Sequence, residues 1–95
     1  MRKFGRTDAN QSAIVRALRA VGCKVESLAD VGGGCIDILV MNRGVIYIAE
    51  IKDGMAPPSK RRLTPAEKTW HADALAHGVA VYVLENVADA LEMVK

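Results

Sequence analysis

The sequence has few aromatic residues and few cysteines, and it lacks any long apolar run. Its four aromatic residues are scattered along 95 positions, which argues against a surface on which nucleic-acid bases stack. Cys23 and Cys35 do not form a CxxC pair, so we expect reduced, small hydrophobic side chains rather than a disulfide framework. No apolar segment approaches the roughly 20 residues that a membrane-spanning helix requires.

Signals for export and for nucleotide binding are also missing. The N-terminus is basic but has no apolar core of a signal peptide, which predicts a cytoplasmic protein, or a nuclear one if its host has a nucleus. The glycines at 32–34 are not followed by G-K-[ST], which disfavours a P-loop for nucleoside triphosphates. His71 and His77 are six residues apart, so they do not share a helix face as paired metal ligands would, and we expect surface or capping roles.

The composition is that of a folded globular chain, with 51% hydrophobic and 25% charged residues. At this length we expect one domain spanning 1–95, small enough that self-association would add stability. The net charge of +2 does not by itself indicate a nucleic-acid partner. Local clusters of basic residues are more informative, because they can meet phosphates on a nearly neutral protein. These clusters are Arg2, Lys3 and Arg6, and the run Lys60, Arg61 and Arg62.

Periodicity and capping signals predict the order α-β-β-β-α-β-α. In "TDANQSAIVRALRAVG" an apolar stripe follows Asp8, a cap residue with Gln11 three positions later. In "LTPAEKTWHADALAHG" Thr64, Pro65 and Glu67 form a strong helix start. The remaining elements are strands in "CKVESLA", Cys35–Met41, Val45–Lys52 and "VAVYVLE", and a last helix in "NVADALEMVK". The pattern predicts an α/β (α+β) fold, a mixed β-sheet flanked by helices.

The segment "NRG" at 42–44 predicts a tight turn that joins two strands into a hairpin. A turn centred there pairs residues whose numbers sum to about 86, which puts Asp37 opposite position 49 and beside Glu50. A shift of one residue would place both carboxylates on a common face. The following "DGMAPPSKRR" is predicted to be a loop without regular structure.

Two acidic residues and a lysine stand where the hairpin strands meet. Asp37 interrupts the apolar strand "CIDILV", and an ionised carboxylate buried without a partner is costly. Glu50 and Lys52 end the neighbouring strand and share one face, since side chains alternate along a strand. Two carboxylates would suit Mg²⁺ or Mn²⁺, with Lys52 beside a metal-bound water, although a solvated Glu–Lys pair remains the simpler alternative.

Three further features each have two interpretations. Gly33 and Gly34 either form a flexible turn or let a DNA phosphate approach the backbone beside Asp37. Lys60, Arg61 and Arg62 are either a solvated loop or a loop that contacts DNA phosphates, which gives affinity without sequence specificity. Trp70 is either a packing residue between helix and sheet or a dimer contact.

The segment "GGGCID", followed after one hairpin by "AEIK", resembles the signature of the PD-(D/E)XK nucleases. Over roughly residues 5 to 94 the chain is similar to the phage-type VRR-NUC (virus-type replication-repair nuclease) domain, including its restriction-endonuclease-like αβββαβ order. The resemblance implies a Mg²⁺- or Mn²⁺-dependent endonuclease that acts in DNA repair on branched DNA such as flaps or four-way (Holliday) junctions, and it implies a homodimer.

Carried onto this sequence, the resemblance makes Asp37 and Glu50 metal ligands and Lys52 the catalytic lysine, and it makes the Ile51 backbone carbonyl a further ligand. The chain departs from the family pattern at Ile36, where many members have proline. A glutamate that many members carry on the first helix is replaced here by Asp8, Asn10 and Gln11. Gln11 would reach the metal directly or through water, or would serve the helix cap instead.

Two rival functions remain open from the sequence. One is a non-catalytic DNA-binding module of the same fold, which would use its basic loop as a clamp. The other is a small interaction protein in which the carboxylates only solvate the edge of the sheet. Dependence of cleavage on a divalent metal separates both from the nuclease.

Overall fold

The computed structural model of the protein describes residues 9–95, and its element order is the predicted one. The predicted cap Asp8 and the basic cluster Arg2, Lys3 and Arg6 lie outside the described residues. The elements are α1 (Ala9–Ala20), β1 (Lys24–Ser27), β2 (Ile38–Asn42), β3 (Val45–Ile51), α2 (Pro65–Ala76), β4 (Val81–Leu84) and α3 (Val87–Met93).

The strands form one mixed sheet in the order β1-β2-β3-β4. Strands β1, β2 and β3 are antiparallel neighbours, whereas β4 returns parallel to β3 after the crossover through α2. Helices α1 and α3 contribute buried side chains to the core on one face of this sheet. The core side chains are Ile14, Leu18, Cys23, Val25, Ile38, Val40, Ala49, Ile51, Leu84, Ala90 and Val94. The predicted α+β fold with a mixed sheet and flanking helices is confirmed.

The β2–β3 hairpin turns on two residues, Arg43 and Gly44, and not on three. Both have positive φ, 53° and 81°, which is the combination that a type I′ hairpin turn requires. A two-residue turn shifts the pairing by one position from the predicted register, so that Ile38 lies opposite Ala49. The observed register therefore corrects the predicted one, which had placed Asp37 opposite position 49.

Two predicted boundaries were wrong. Strand β2 begins at Ile38 instead of Cys35, because Gly32 to Gly34 all have positive φ and the Cys35 amide donates to the Gly32 carbonyl (3.2 Å) in a turn. The loop after β3 contains a short 3₁₀-helix, Pro58–Lys60, since proline has the φ that a helical first position needs.

The start of helix α1 reaches the end of the sheet where β3 and β4 stop. The Asn10 side-chain amide donates to the Lys52 carbonyl (2.7 Å) and to the Glu85 carbonyl (3.3 Å). The Lys52 amide in turn donates to the Leu84 carbonyl (3.0 Å), so the parallel ladder continues one residue past β3. The backbone at the end of β3 is therefore held by β4 and by α1.

Helix α2 begins with the predicted capping box. The Glu67 amide donates to the Thr64 hydroxyl (3.1 Å), and the Thr64 amide donates to the Glu67 carboxylate (2.8 Å). No residue of α2 is buried, so the helix is attached to the rest of the protein by half-buried side chains. Two of these, Glu67 and His71, point to the end of β3.

Candidate active site

Asp37 lies immediately before β2, with its carboxylate directed at the end of β3. Its amide donates to the Ala49 carbonyl (3.1 Å), and its Oδ2 accepts a hydrogen bond from the Ile51 amide (2.7 Å). A carboxylate that accepts a backbone amide is held in one orientation. Asp37 is therefore fixed next to Glu50, the residue that precedes Ile51.

Glu50 is almost completely buried, with 1% of its surface exposed. Burial raises the pKa of its carboxyl group to about 9, and the hydrogen bond with Asp37 and the negative charges of Asp37 and Glu67 act in the same direction. Lys52 opposes this shift without cancelling it. At neutral pH Glu50 is thus a protonated acid in contact with a second carboxyl group, because a buried pair of like charges is costly.

Lys52 lies just beyond β3, and its ammonium Nζ donates to the Glu67 Oε1 (2.8 Å). The two side chains are 13% and 16% exposed, so water screens this pair much less than it screens a surface ion pair. Glu67 also accepts the Thr64 amide of the capping box at the same oxygen. Burial favours a raised pKa for Glu67, but the hydrogen bonds from Lys52 and Thr64 outweigh it and lower that pKa.

His71 was predicted to be a surface or capping residue, and the structure corrects this. Its Nε2 lies 3.1 Å from the Glu50 Oε1, with 14% of the side chain exposed. Burial lowers the pKa of His71 while that of Glu50 is raised, so the pair is a hydrogen bond between neutral groups at neutral pH. Glu67 and His71 are four residues apart on one helix, and this spacing was the available signal that both face the site.

Comparisons with known proteins identify a similar fold. No protein-family model matches the sequence, and no curated protein matches it. A solved structure described as "VRR_NUC domain" is 27% identical in sequence and superposes with a TM-score of 0.65, and the match covers 87% of each chain. This structural match supports a VRR-NUC domain. The fold is that of a nuclease, which implies DNA as the substrate class.

The protein has a carboxylate pair, Asp37 and Glu50, as the candidate donor set for a metal. Within residues 9–95 no three His, Cys, Asp or Glu side chains are arranged to hold a metal ion. Asp37 and Glu50 nevertheless fit a divalent cation, because they are two hard oxygen donors in contact and a cation would relieve the repulsion between their ionised forms. The Ile51 carbonyl remains a predicted ligand.

Gln11 remains a predicted ligand as well. Its side chain is buried, with 7% exposed, and it lies at the head of a cleft of about 420 Å³ between α1 and β1. Two arginines of α1, Arg16 and Arg19, line the same cleft. The Arg19 guanidinium donates to the Val25 carbonyl (3.0 Å). Asn10, the other candidate on α1, is occupied with the backbone at the end of β3.

The structure separates the two glycines that were predicted to admit a phosphate. A Cβ added at Gly34 would clash with the Ala66 carbonyl and would lie 2.9 Å from the Glu67 amide, so Gly34 is needed for the close approach of α2. Gly33 has open space where its Cβ would be. The reason for a glycine at Gly34 is therefore helix packing, and only Gly33 keeps the predicted role beside Asp37.

The basic run also divides into two kinds of residue. Lys60 and Arg62 are exposed, as a contact with DNA phosphates requires. The Arg61 guanidinium lies 3.4 Å from the Glu85 carboxylate and is mostly covered, so it fastens the loop to the end of β4. Among the three predicted DNA contacts, only Lys60 and Arg62 point into solvent.

Two other predictions concern the second half of α2. His77 is the C-cap residue of the helix, and its Nδ1 contacts the Asp73 carbonyl (2.8 Å), which confirms the capping interpretation. Trp70 is half-buried and lines a small cavity with Asp73, Ala74 and His77.

Within residues 9–95 no helix is long and apolar enough to cross a membrane.

The raised pKa of Glu50 predicts how stability depends on pH without divalent metal. Between about pH 4.5 and 9 the unfolded chain releases a proton that folded Glu50 retains, so the free energy of unfolding falls as pH rises. Glu50→Gln removes this titration. We expect the variant to equal the parent near pH 5 and to exceed it by at least about 1 kcal/mol at pH 8, measured by urea unfolding in EDTA.

The matched control is Glu92→Gln, which removes a carboxylate whose side chain is 74% exposed. It should leave the pH dependence of the parent unchanged. A Glu50→Gln variant whose stability follows the same pH slope as the parent would show that Glu50 is ionised in the folded protein.

Proposed function

We propose that residues 1–95 form one metal-dependent endonuclease domain that hydrolyses DNA phosphodiester bonds. Asp37 and Glu50 would hold Mg²⁺ or Mn²⁺, with the Ile51 carbonyl and Gln11 as further candidate ligands, and Lys52 would be the catalytic lysine. The observation that carries the proposal is the contact of two carboxyl groups at the end of β3, next to a lysine whose backbone is fixed.

The donor set favours a hard divalent cation over a softer metal. Carboxylate and carbonyl oxygens suit Mg²⁺ and Mn²⁺, and Mg²⁺ commonly takes one or two carboxylates while keeping several waters. Such an ion would supply a water of lowered pKa and would offset negative charge on the phosphate. Its binding requires Glu50 to lose the proton that it holds at neutral pH, because only the carboxylate is a good ligand.

Lys52 contributes a positive charge that is already in place before DNA binds. Its amide donates to Leu84 and its carbonyl accepts from Asn10, so only the side chain has freedom to move. An ammonium beside the carboxylate pair would orient the attacking water and stabilise the charge that develops on the phosphate oxygens. A preorganised charge of this kind acts without reorganisation during the reaction.

Site variants test the assignment of roles. Glu50→Gln and Lys52→Ala should each lower the rate of DNA cleavage by at least about 100-fold, because the first removes a proposed metal ligand and the second removes a charge that acts on the reacting phosphate. The affinity for DNA should change little, since most binding comes from phosphate contacts elsewhere. Cleavage is followed on labelled DNA with Mg²⁺, with Mn²⁺ and with chelator, and affinity by fluorescence anisotropy in Ca²⁺ or EDTA.

The same assay compares linear duplex, flap and four-way junction DNA. We propose that branched DNA is cut faster than linear duplex, because within residues 9–95 only three aromatic side chains are present and two of them, Tyr47 and Tyr82, pack against each other. This leaves recognition of DNA by its shape. Equal rates on all substrates would remove the selectivity. If the parent binds branched DNA but never cuts it with either metal, the domain is a DNA-binding module instead.

The exposed part of the basic run predicts how binding depends on salt. Lys60→Ala with Arg62→Ala should weaken binding and should reduce the slope of log K against log salt by about 0.9 for each lost phosphate contact. Arg61→Ala is the matched control, since its guanidinium is paired with Glu85. If Arg61→Ala changes the slope as much as the double variant does, this division of the run is wrong.

We further propose that two copies associate through an apolar strip on the sheet face that carries Glu50. Met41 lies opposite Ile46, and Leu39 lies opposite Ile48, which is next to Val81 on β4. Ile46 is 64% exposed, and Val83 at the edge of the sheet is exposed as well. The strip consists of Leu39, Met41, Ile46, Ile48, Val81 and Val83. An apolar surface of this kind suits a protein partner better than a phosphate backbone.

Sedimentation equilibrium tests the association. The parent should be a dimer at micromolar concentration, and Ile46→Glu should be a monomer because it puts a charge into the strip. Val21→Glu, a substitution at an exposed apolar residue at the end of α1, is the matched control and should remain a dimer. A monomeric parent would contradict the proposed homodimer without bearing on catalysis.

A further inference from the structure

The first turn of α2 brings a third acidic residue, Glu67, to the candidate active site. We propose that Glu67 is a positioning residue that holds the Lys52 ammonium in its working place, so that the N-terminus of α2 is part of the catalytic apparatus. This inference rests on the proposed role of Lys52. It assigns a function to a residue that the sequence marks only as part of a helix cap.

The Lys52 side chain needs an external partner to be ordered. Its four-carbon stem has rotational freedom that is costly to suppress, and a fixed backbone does not restrict it. Within residues 9–95 the ion-pair partner of Lys52 is Glu67, at 2.8 Å. The low exposure of both side chains excludes most water from the pair. The direction of the ammonium is therefore set by the place of the Glu67 carboxylate.

Glu67 is itself held more firmly than a surface glutamate. Its amide and its carboxylate both bond to Thr64, so the capping box fixes the backbone and the side chain of the same residue. Oε1 accepts from both the Thr64 amide and the Lys52 ammonium. Because one carboxylate oxygen accepts both hydrogen bonds, the position of the Lys52 ammonium is coupled to the first turn of α2.

Gly34 allows the first turn of α2 to approach the chain segment before β2 closely. The Ala66 carbonyl and the Glu67 amide occupy the space where a side chain at position 34 would stand. The same short segment leads through Ile36 to Asp37 at the start of β2. The chain segment that presents Asp37 therefore also contacts the first turn of α2, which presents Glu67.

Glu67 fits a positioning role better than a ligand role. Its carboxylate already accepts two hydrogen bonds, and within the described residues it does not complete a metal-binding group of three with Asp37 and Glu50. His71, four residues later, contacts Glu50 from the same side of the helix. From α2, Lys52 thus receives Glu67, and Glu50 receives His71 and a hydrogen bond with Glu67.

The test measures single-turnover cleavage with enzyme in excess over a flap substrate, which separates the cutting step from DNA binding. Glu67→Ala should lower the cleavage rate at saturation by about 10- to 100-fold with unchanged DNA affinity. Glu67→Gln keeps an acceptor oxygen and a residue that suits the capping box, so it should recover a large part of the rate. Glu92→Gln, at an exposed position of α3, controls for the loss of a negative charge and should cut as the parent does.

Thr64→Ala separates positioning from helix stability. It removes the hydroxyl that caps the Glu67 amide but leaves the Thr64 backbone amide and the Glu67 carboxylate in place. We expect a lower Tm and, at a temperature where the variant is folded, a cleavage rate well above that of Glu67→Ala, because the bond from the Thr64 amide to the Glu67 carboxylate is kept. If Thr64→Ala loses as much rate as Glu67→Ala, the effect of Glu67 is structural and the inference is wrong.

A second measurement does not depend on cleavage. Acetylation of lysines, mapped by mass spectrometry, should modify Lys52 slowly in the parent and several-fold faster in Glu67→Ala, while the exposed Lys68 on the same helix reacts equally in both. Unchanged protection of Lys52, or an unchanged or faster cleavage rate in Glu67→Ala, overturns the inference. If Lys52→Ala itself cuts as the parent does, the proposed function fails instead, and the acetylation result still reports on the Lys52–Glu67 pair.

Discussion

The contact between the carboxyl groups of Asp37 and Glu50 is the constraint on which the rest of the site depends. One of these groups is orientated by a backbone amide, and the other is almost fully buried and keeps its proton at neutral pH. Two acids in such a place destabilise the fold unless a proton or a cation lies between them. The surrounding structure is therefore organised to keep them together: the hairpin register, the fixed end of β3 and the helix that lies over them.

Helix α2 illustrates how closely the site and the fold are joined. It has no buried residue, so it does not attach to the sheet as an ordinary amphipathic helix does, through a wide apolar face. Glu67 and His71 instead make polar contacts with Lys52 and Glu50. Because the same interactions hold the helix and arrange the site, a change in the charge state of the site also changes the attachment of the helix.

Local features of the sequence predicted the helices and strands well. They did not predict the contacts between residues that are distant in the sequence. The Thr64–Glu67 capping box, the hairpin and the order of the strands depend on neighbouring residues, so their patterns can be read directly. The register depended on whether the turn has two or three residues. Arginine is not typical of the positive-φ positions of a type I′ turn, so Arg43 did not indicate the two-residue turn. The partners of Glu50 and Lys52 depend on where α2 docks, which no local pattern specifies.

Some residues near the site make internal contacts and others are exposed to solvent. Their positions in the sequence do not distinguish the two kinds. Arg61 stands between two exposed basic residues, yet its partner is Glu85 at the end of β4. Gly34 stands beside Gly33, yet only Gly34 is in close contact with the backbone of α2. In each pair of neighbours one residue is committed to internal contacts because a distant element arrives beside it. Within the basic run 60–62 two of the three charges are therefore exposed, fewer than the sequence suggests.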